Sequence, residues 1–263
     1  MMQSHFLQAH FGAFTKTLKD ASIQKISAVS QRVIEKQGTI QGFYDYFDEI
    51  KKILPSRDVE QLKMELKPLR LTLLEPHISE ANKALSLLRH SKTIRDFHLY
   101  FKDLALSKKL RQVDVDYVES QLQLVRVYYL HKIEDQTIKI YRSFFGDAKE
   151  VSDRIDEAGD FLASFFFDIS ASEKRILNFD RINEAREDLL YQYVVVDALY
   201  LLSDDSASIK DVLDFFDELK KSGLDYDDRK YVENEILKDT PETNSSLRIE
   251  KTNALLKNRF IEI

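Results

Sequence analysis

Cysteine and tryptophan are absent from this chain, and its 263 residues include only six glycines and four prolines. Without cysteine there are no disulfides, thiol nucleophiles or thiolate metal sites. The shortage of glycine and proline leaves little to build loops with. Together with abundant Leu, Lys, Glu, Gln and Ala, it favours long helices joined by short turns. Charge of one sign is also missing: the net value is −6, and no dense basic stripe carries aromatics between its lysines. That pattern gives no nucleic-acid footprint.

No apolar run is long enough to cross a membrane. The densest, Leu189 to Leu202, contains Gln192 and Asp197; it is too short and too polar to span, and reads as a central buried helix segment. Met1 to Lys19 contains no acid, a feature shared with organelle-targeting and membrane-surface segments. It lacks a basic start and a small-residue cleavage site, so it reads as a first helix burying Phe6, Phe11, Phe14 and Leu18. These features predict a cytoplasmic protein without integral membrane association.

The usual signatures of chemistry are absent as well. The glycines are scattered, with no phosphate-cradling cluster, no Gly-Lys-Ser or Gly-Lys-Thr, and no Gly-x-Ser-x-Gly elbow. None of the six histidines belongs to a His-Glu-x-x-His or Glu-x-x-His signature. His131 and Glu134 share a helix face in reversed order and read as a solvated pair. Asp114-Val115-Asp116 and Asp225-Tyr226-Asp227-Asp228 precede helices, but Val125 and Ile236 stand where an EF-hand needs its closing Glu. Acids there are stabilised by the helix dipole without an ion. No metal and no cofactor are expected, and the balance leans away from an enzyme.

What is present is internal similarity. Thr39-Ile40-x-x-Phe43-x-x-Tyr46-Phe47-x-Glu49-Ile50 recurs as Thr93-Ile94-x-x-Phe97-x-x-Tyr100-Phe101-x-Asp103-Leu104. Further copies start at Ser208-Ile209 and at Thr137-Ile138, with a weaker one over Leu162 to Ile169. Thr or Ser at the start supplies an N-cap oxygen, and Asp96 or Asp211 three residues later closes a capping box. The apolar residues then fall at steps of three and four, forming one packing stripe. Two copies continue alike: Ser107 matches Ser222, and Asp116-Tyr117-Val118-Glu119-x-x-Leu122 resembles Lys230-Tyr231-Val232-Glu233-x-x-Ile236. One residue of register is lost in the connecting turn. The implied unit is a helical hairpin.

The predicted fold is therefore all-α: an irregular stack or bundle of helical hairpins carrying divergent internal repeats. Helices are predicted near 4–18, 22–36, 40–53, 57–74, 78–89, 94–107, 114–132, 136–149, 152–169, 173–201, 209–221, 227–238 and 247–259. Pro68 is expected to bend or interrupt its helix, and Pro76 to mark a further break. One elongated domain over 1–263 is expected. The alternative subdivision is a main body, 1–202, and a C-terminal hairpin plus tail, 203–263. The Asn244-Ser245-Ser246 sequon is incidental in this setting.

Two functional readings follow. The first is a protein-interaction or scaffold module, binding another protein or itself through an exposed helical surface. Tyr128, Tyr129, Tyr191 and Tyr193 are its candidate anchors, since adjacent or alternate positions on a helix do not all face inward. The second is a small-molecule-binding protein or non-metal enzyme with an interhelical pocket. Arg126, His131, Tyr141 and Arg142 are its candidate polar contacts.

Overall fold

The computed structural model describes residues 23–87, 91–144, 146, 150–204 and 206–239. The predicted first helix, with Phe6, Phe11, Phe14 and Leu18, lies outside the described residues, as do the predicted helix at 247–259 and the sequon. Every described element is helical, as composition and periodicity require. Contacts divide the chain into two compact units, residues 1–126 and 127–263.

The first unit contains α1 (Ile23–Gln37), α2 (Ile40–Ile50), α3 (Ser56–Glu65), α4 (Lys67–Ser86), α5 (Ile94–Leu106) and α6 (Gln112–Gln121). Gly38 ends α1 in the left-handed region (φ 63°), its amide donating to the Ile34 carbonyl at 3.0 Å. Only glycine adopts that conformation without a Cβ penalty. Thr39 then caps α2, its Oγ1 accepting from the Gly42 amide at 3.1 Å. The paired aromatics make the buried face of α2 unusually wide: Ile40, Phe43, Tyr44, Tyr46, Phe47 and Ile50 are all buried. Phe43 packs on Phe47 with ring centres 4.7 Å apart.

The predicted 57–74 helix is interrupted beside Pro68, as expected, but Pro76 acts differently from expectation. The break is at Leu66 (φ −90°, ψ 5°), and Pro68 falls in the first turn of α4. Its missing amide has no intrahelical acceptor there in any case. Pro76 does not end the helix: α4 runs through it to Ser86. An interior proline costs about 3 kcal/mol. Burying a leucine side chain contributes about 1.5–3 kcal/mol, and Leu74 and Leu85 are both buried along α4 with Ala81.

Helix α7 (Gln123–Arg142) begins in the first unit and continues into the second. The second unit adds α8 (Val151–Ala163), α9 (Ala171–Lys174), α10 (Phe179–Leu190), a π turn (Tyr191–Val195), α11 (Val196–Ser203), α12 (Ile209–Lys221) and α13 (Tyr226–Asp239). Its core joins Ile182, Leu189, Val194, Val195 and Leu202 to Val212, Phe216, Val232 and Ile236. The hairpin α12–α13 thus shares its interior with α10, the π turn and α11.

One repeat does not cap a helix. Thr137 was expected to start one; instead it is buried in the middle of α7, its Oγ1 donating to the Ile133 carbonyl at 2.9 Å. No glycine or proline separates the two predicted segments, so the helix continues, and the threonine hydroxyl is satisfied by the preceding turn. The matches at Thr39, Thr93 and Ser208 start helices as read. The Thr93 amide donates to Asp96 Oδ2 at 2.7 Å, and the Ser208 amide to Asp211 Oδ2 at 2.7 Å.

Candidate interaction surface

A buried polar cluster fastens the helices within each unit. In the first, Asp114 opens α6 and is 1% exposed. Arg70 on α4 donates to its Oδ1 from Nε at 2.8 Å and Nη2 at 2.7 Å, while Tyr44 on α2 donates to Oδ2 at 2.5 Å. Burial and the adjacent Asp114 carboxylate push the Tyr44 phenol well above its ordinary value. The Arg111 guanidinium lies 4.4 Å from the Tyr44 ring centre and pairs with Asp48 at 2.8 Å.

In the second unit Asp228 opens α13 and is 3% exposed. Arg186 on α10 donates from Nη2 to Asp228 at 2.7 Å and to Asp225 at 2.8 Å. Burial raises the Asp228 carboxyl above its usual range against the opposing pull of Arg186. Asp225 is held below that range by its amide bonds and Arg186, which outweigh its desolvation. A second buried acid, Glu134, accepts from Arg181 Nη1 and from the Asn178 amide at 3.2 Å. Each carboxylate already faces a guanidinium, and removing either partner strands a buried charge. These clusters hold helices together. Among the described residues no group of three or more His, Asp or Glu is arranged to hold a metal ion.

The sequence-selected tyrosines are mostly engaged in packing. Tyr129 is 1% exposed, and Tyr128 is half-buried, its ring set edge-on to Tyr129 at 5.7 Å. Tyr191 and Tyr193 are half-buried in the π turn. Tyr193 donates to the Phe144 carbonyl at 2.9 Å and stacks edge-on with that ring.

Of the candidate pocket residues, Arg126 belongs to the first unit and His131, Tyr141 and Arg142 to the second. His131 is exposed with Nδ1 3.3 Å from Glu134. Tyr141 is buried in the electrostatic field of Arg186 and Asp228, and Arg142 is exposed.

The most exposed aromatic lies elsewhere. Phe167, in the turn after α8, is 98% exposed. It follows Phe161, Phe165 and Phe166, all half-buried. Phe161 and Phe165 stack edge-on at 5.2 Å, and Lys174 Nζ lies 4.6 Å from the Phe166 ring centre. The sequence signal was the run Phe165-Phe166-Phe167 itself, of which the repeat pattern assigned Phe165 and Phe166 to the packing stripe and left Phe167 out of it. Since α8 stops at Ala163, the stripe does not extend through it.

Shallow grooves accompany these surfaces. One of about 570 Å³ lies along Glu187, Tyr231, Asn234, Glu235, Leu237 and Lys238. Another of about 320 Å³ lies by Thr39, Leu73 and Lys109 in the first unit. No described helix is long and apolar enough to cross a membrane. Comparison with known proteins finds no matching family, curated sequence or solved structure.

Proposed function

We propose that this chain is a helical protein-interaction module that acts as a binding or scaffolding surface and carries out no chemical step. The observation that supports this reading is the exposure of Phe167 at the end of a four-phenylalanine segment. An aromatic side chain offers about 150–250 Å² for burial, and a ring left in water is a ready anchor for a partner surface. The neighbouring phenylalanines are held by ring and cation contacts, so the ordering cost of binding falls mainly on Phe167 itself.

Capture of partners from native lysate, with the wild-type chain and Phe167→Ser compared side by side, tests the proposal. A stoichiometric protein partner bound by the wild type and lost from the variant is the expected result. A chain that carries a retained metabolite and no protein overturns it, and turns attention to the interhelical pocket reading.

A further inference from the structure

Each unit contains the same three-helix arrangement in a register that can be followed residue by residue. Leu66, Arg70 and Leu74 correspond to Ile182, Arg186 and Leu190, 116 positions later. All four aliphatic residues are buried, and both arginines reach a buried aspartate. The π turn then inserts one residue. Ala81 and Leu85 correspond to Ala198 and Leu202, now 117 positions later, and all four are buried.

The hairpins that follow keep the same order. Phe97 and Phe101 match Val212 and Phe216 as buried stripe residues. The Ser107 and Ser222 hydroxyls both donate to the carbonyl three residues back at 2.7 Å. The next residue in each copy, Lys108 (φ 57°) or Gly223 (φ 95°), turns into the left-handed region. Beyond a turn one residue shorter, Leu110, Asp114, Val118 and Leu122 match Leu224, Asp228, Val232 and Ile236, all buried.

The first copy therefore shows what this arrangement requires at each surface position, and one face has changed. On α4, Ser79, Asn82, Lys83 and Ser86 are exposed and polar. Their counterparts on α11 are Val196, Leu199, Tyr200 and Ser203, at helical steps of three, one and three. Val196 is 45% exposed and Tyr200 70%, while Leu199 between them is half-buried against the unit's core. The fold is satisfied with serine and lysine at those sites, so packing does not account for valine and tyrosine in water.

Charge has diverged with polarity. Residues 66–122 hold ten basic and seven acidic side chains, whereas 182–236 hold six basic and fifteen acidic ones. Between Glu187 and Ile209 there are five acids, Glu187, Asp188, Asp197, Asp204 and Asp205, and no Lys or Arg.

We infer that the α11 face of Val196, Leu199 and Tyr200 docks a helix of a partner protein whose apolar stripe is bordered by Lys and Arg. The inference rests on the interaction reading above and adds a place and a partner chemistry to it. An amphipathic helix presents apolar residues at matching steps. Its basic margins complement Asp188 on α10, Asp197 on α11 and Asp204 at the end of α11, which selects against neutral and acidic helices.

Site-specific photocrosslinking in the full chain, in its native cells, tests this. A benzoylphenylalanine is placed at Tyr200, at Phe167, or at Lys83, the equivalent of Tyr200 in the first copy. The crosslinked peptides are then sequenced. The expected result is crosslinking from position 200 to a foreign segment with an apolar helical stripe and Lys or Arg margins, with none from position 83. With a probe retained at 199, Val196→Glu plus Tyr200→Glu should lower the yield at least about tenfold, as loss of an anchor does. Crosslinks from 167 alone overturn the α11 assignment while leaving the interaction reading standing. Crosslinks from neither position overturn both. Crosslinks from 200 to a second copy, or to residues 240–263 of the same chain, also overturn the assignment of a foreign basic helix.

Discussion

Arg70 grips Asp114 through a single carboxylate oxygen, with Nε at 2.8 Å and Nη2 at 2.7 Å, while the other oxygen takes the Tyr44 hydroxyl. One buried acid thus ties α6 to both α4 and α2. Removing one member of a buried pair costs about 3–5 kcal/mol, because the survivor keeps its desolvation penalty. Asp114 is buried and Arg70 remains partly exposed. Arg70→Ala should therefore destabilise the chain by about 3 kcal/mol by this mechanism. The pair replacement Arg70→Met with Asp114→Asn should recover part of that loss, because it removes both charges while the amide oxygen still accepts from Tyr44. Urea denaturation of the single and double variants measures both.

The π turn makes a prediction of its own. One residue in Tyr191–Val195 is inserted relative to the first copy, so deleting exposed Gln192 should let the helix close into regular α geometry. The buried residues on either side keep their facing, because a π turn absorbs one extra residue without rotating its flanks. The deletion variant should fold, with its melting temperature close to wild type. Deleting Glu184 from the regular part of α10 should destabilise this unit far more, since Arg186, Leu189 and Leu190, between the deletion and the π turn, would turn by about 100° away from their partners. Circular dichroism melts compare the two.

Lys108 occupies a left-handed position (φ 57°) where the second copy has Gly223. A side chain there costs about 1–2 kcal/mol. Lys108→Gly should stabilise the chain by up to about 1 kcal/mol after the added flexibility of the unfolded chain is included. Gly223→Ala should do the opposite, both from strain and because its Cβ would meet Ser152 Oγ at 2.8 Å. Chemical denaturation midpoints read the opposite signs.

Tyr46 is buried and bonded to Ser30, and burial pushes its phenol up to about 12. A folded value above the unfolded one means stability that is complete below pH 10 and lost as pH rises toward 12. Tyr46→Phe should cost about 1 kcal/mol at pH 8 through the lost hydrogen bond. That gap should close and then reverse between pH 10 and 12, because the rise from 10.0 to about 12 outweighs one hydrogen bond. Melts of both proteins across that range check the sign, and a variant that stays less stable throughout contradicts it.

The capping box at Ser208 offers a smaller test. Its hydroxyl accepts from the Asp211 amide at 3.3 Å, and its own amide donates back to the Asp211 carboxylate. Ser208→Ala should cost about 1 kcal/mol. Ser208→Asn should restore most of this in an equilibrium unfolding measurement.

Local chemistry was enough to read much of this from the amino-acid sequence. The scarcity of glycine and proline, the apolar steps of three and four, and the Ser or Thr starts set the helical class and the hairpins at Thr93 and Ser208. Those signals act over a few neighbouring residues, where sequence and conformation are directly linked. Thr137 shows their limit, since the same motif lies mid-helix when nothing before it breaks the backbone bonds. Pro76 shows it again, because helix α4 continues past a breaker.

Tertiary structure decided the rest. That Asp114 pairs with Arg70, and Asp228 with Arg186, depends on which helices meet, and the partners stand 44 and 42 residues apart in the chain. Which aromatics became core and which surface was decided in the same way. Tyr129 is enclosed, while Phe167 is left in water by the end of α8. Periodicity identifies the stripe that a helix has to bury, but burial is a property of the neighbours that cover it. Sequence by itself therefore determined the helices and the hairpin repeats, and long-range packing determined which side chains remained available as a surface.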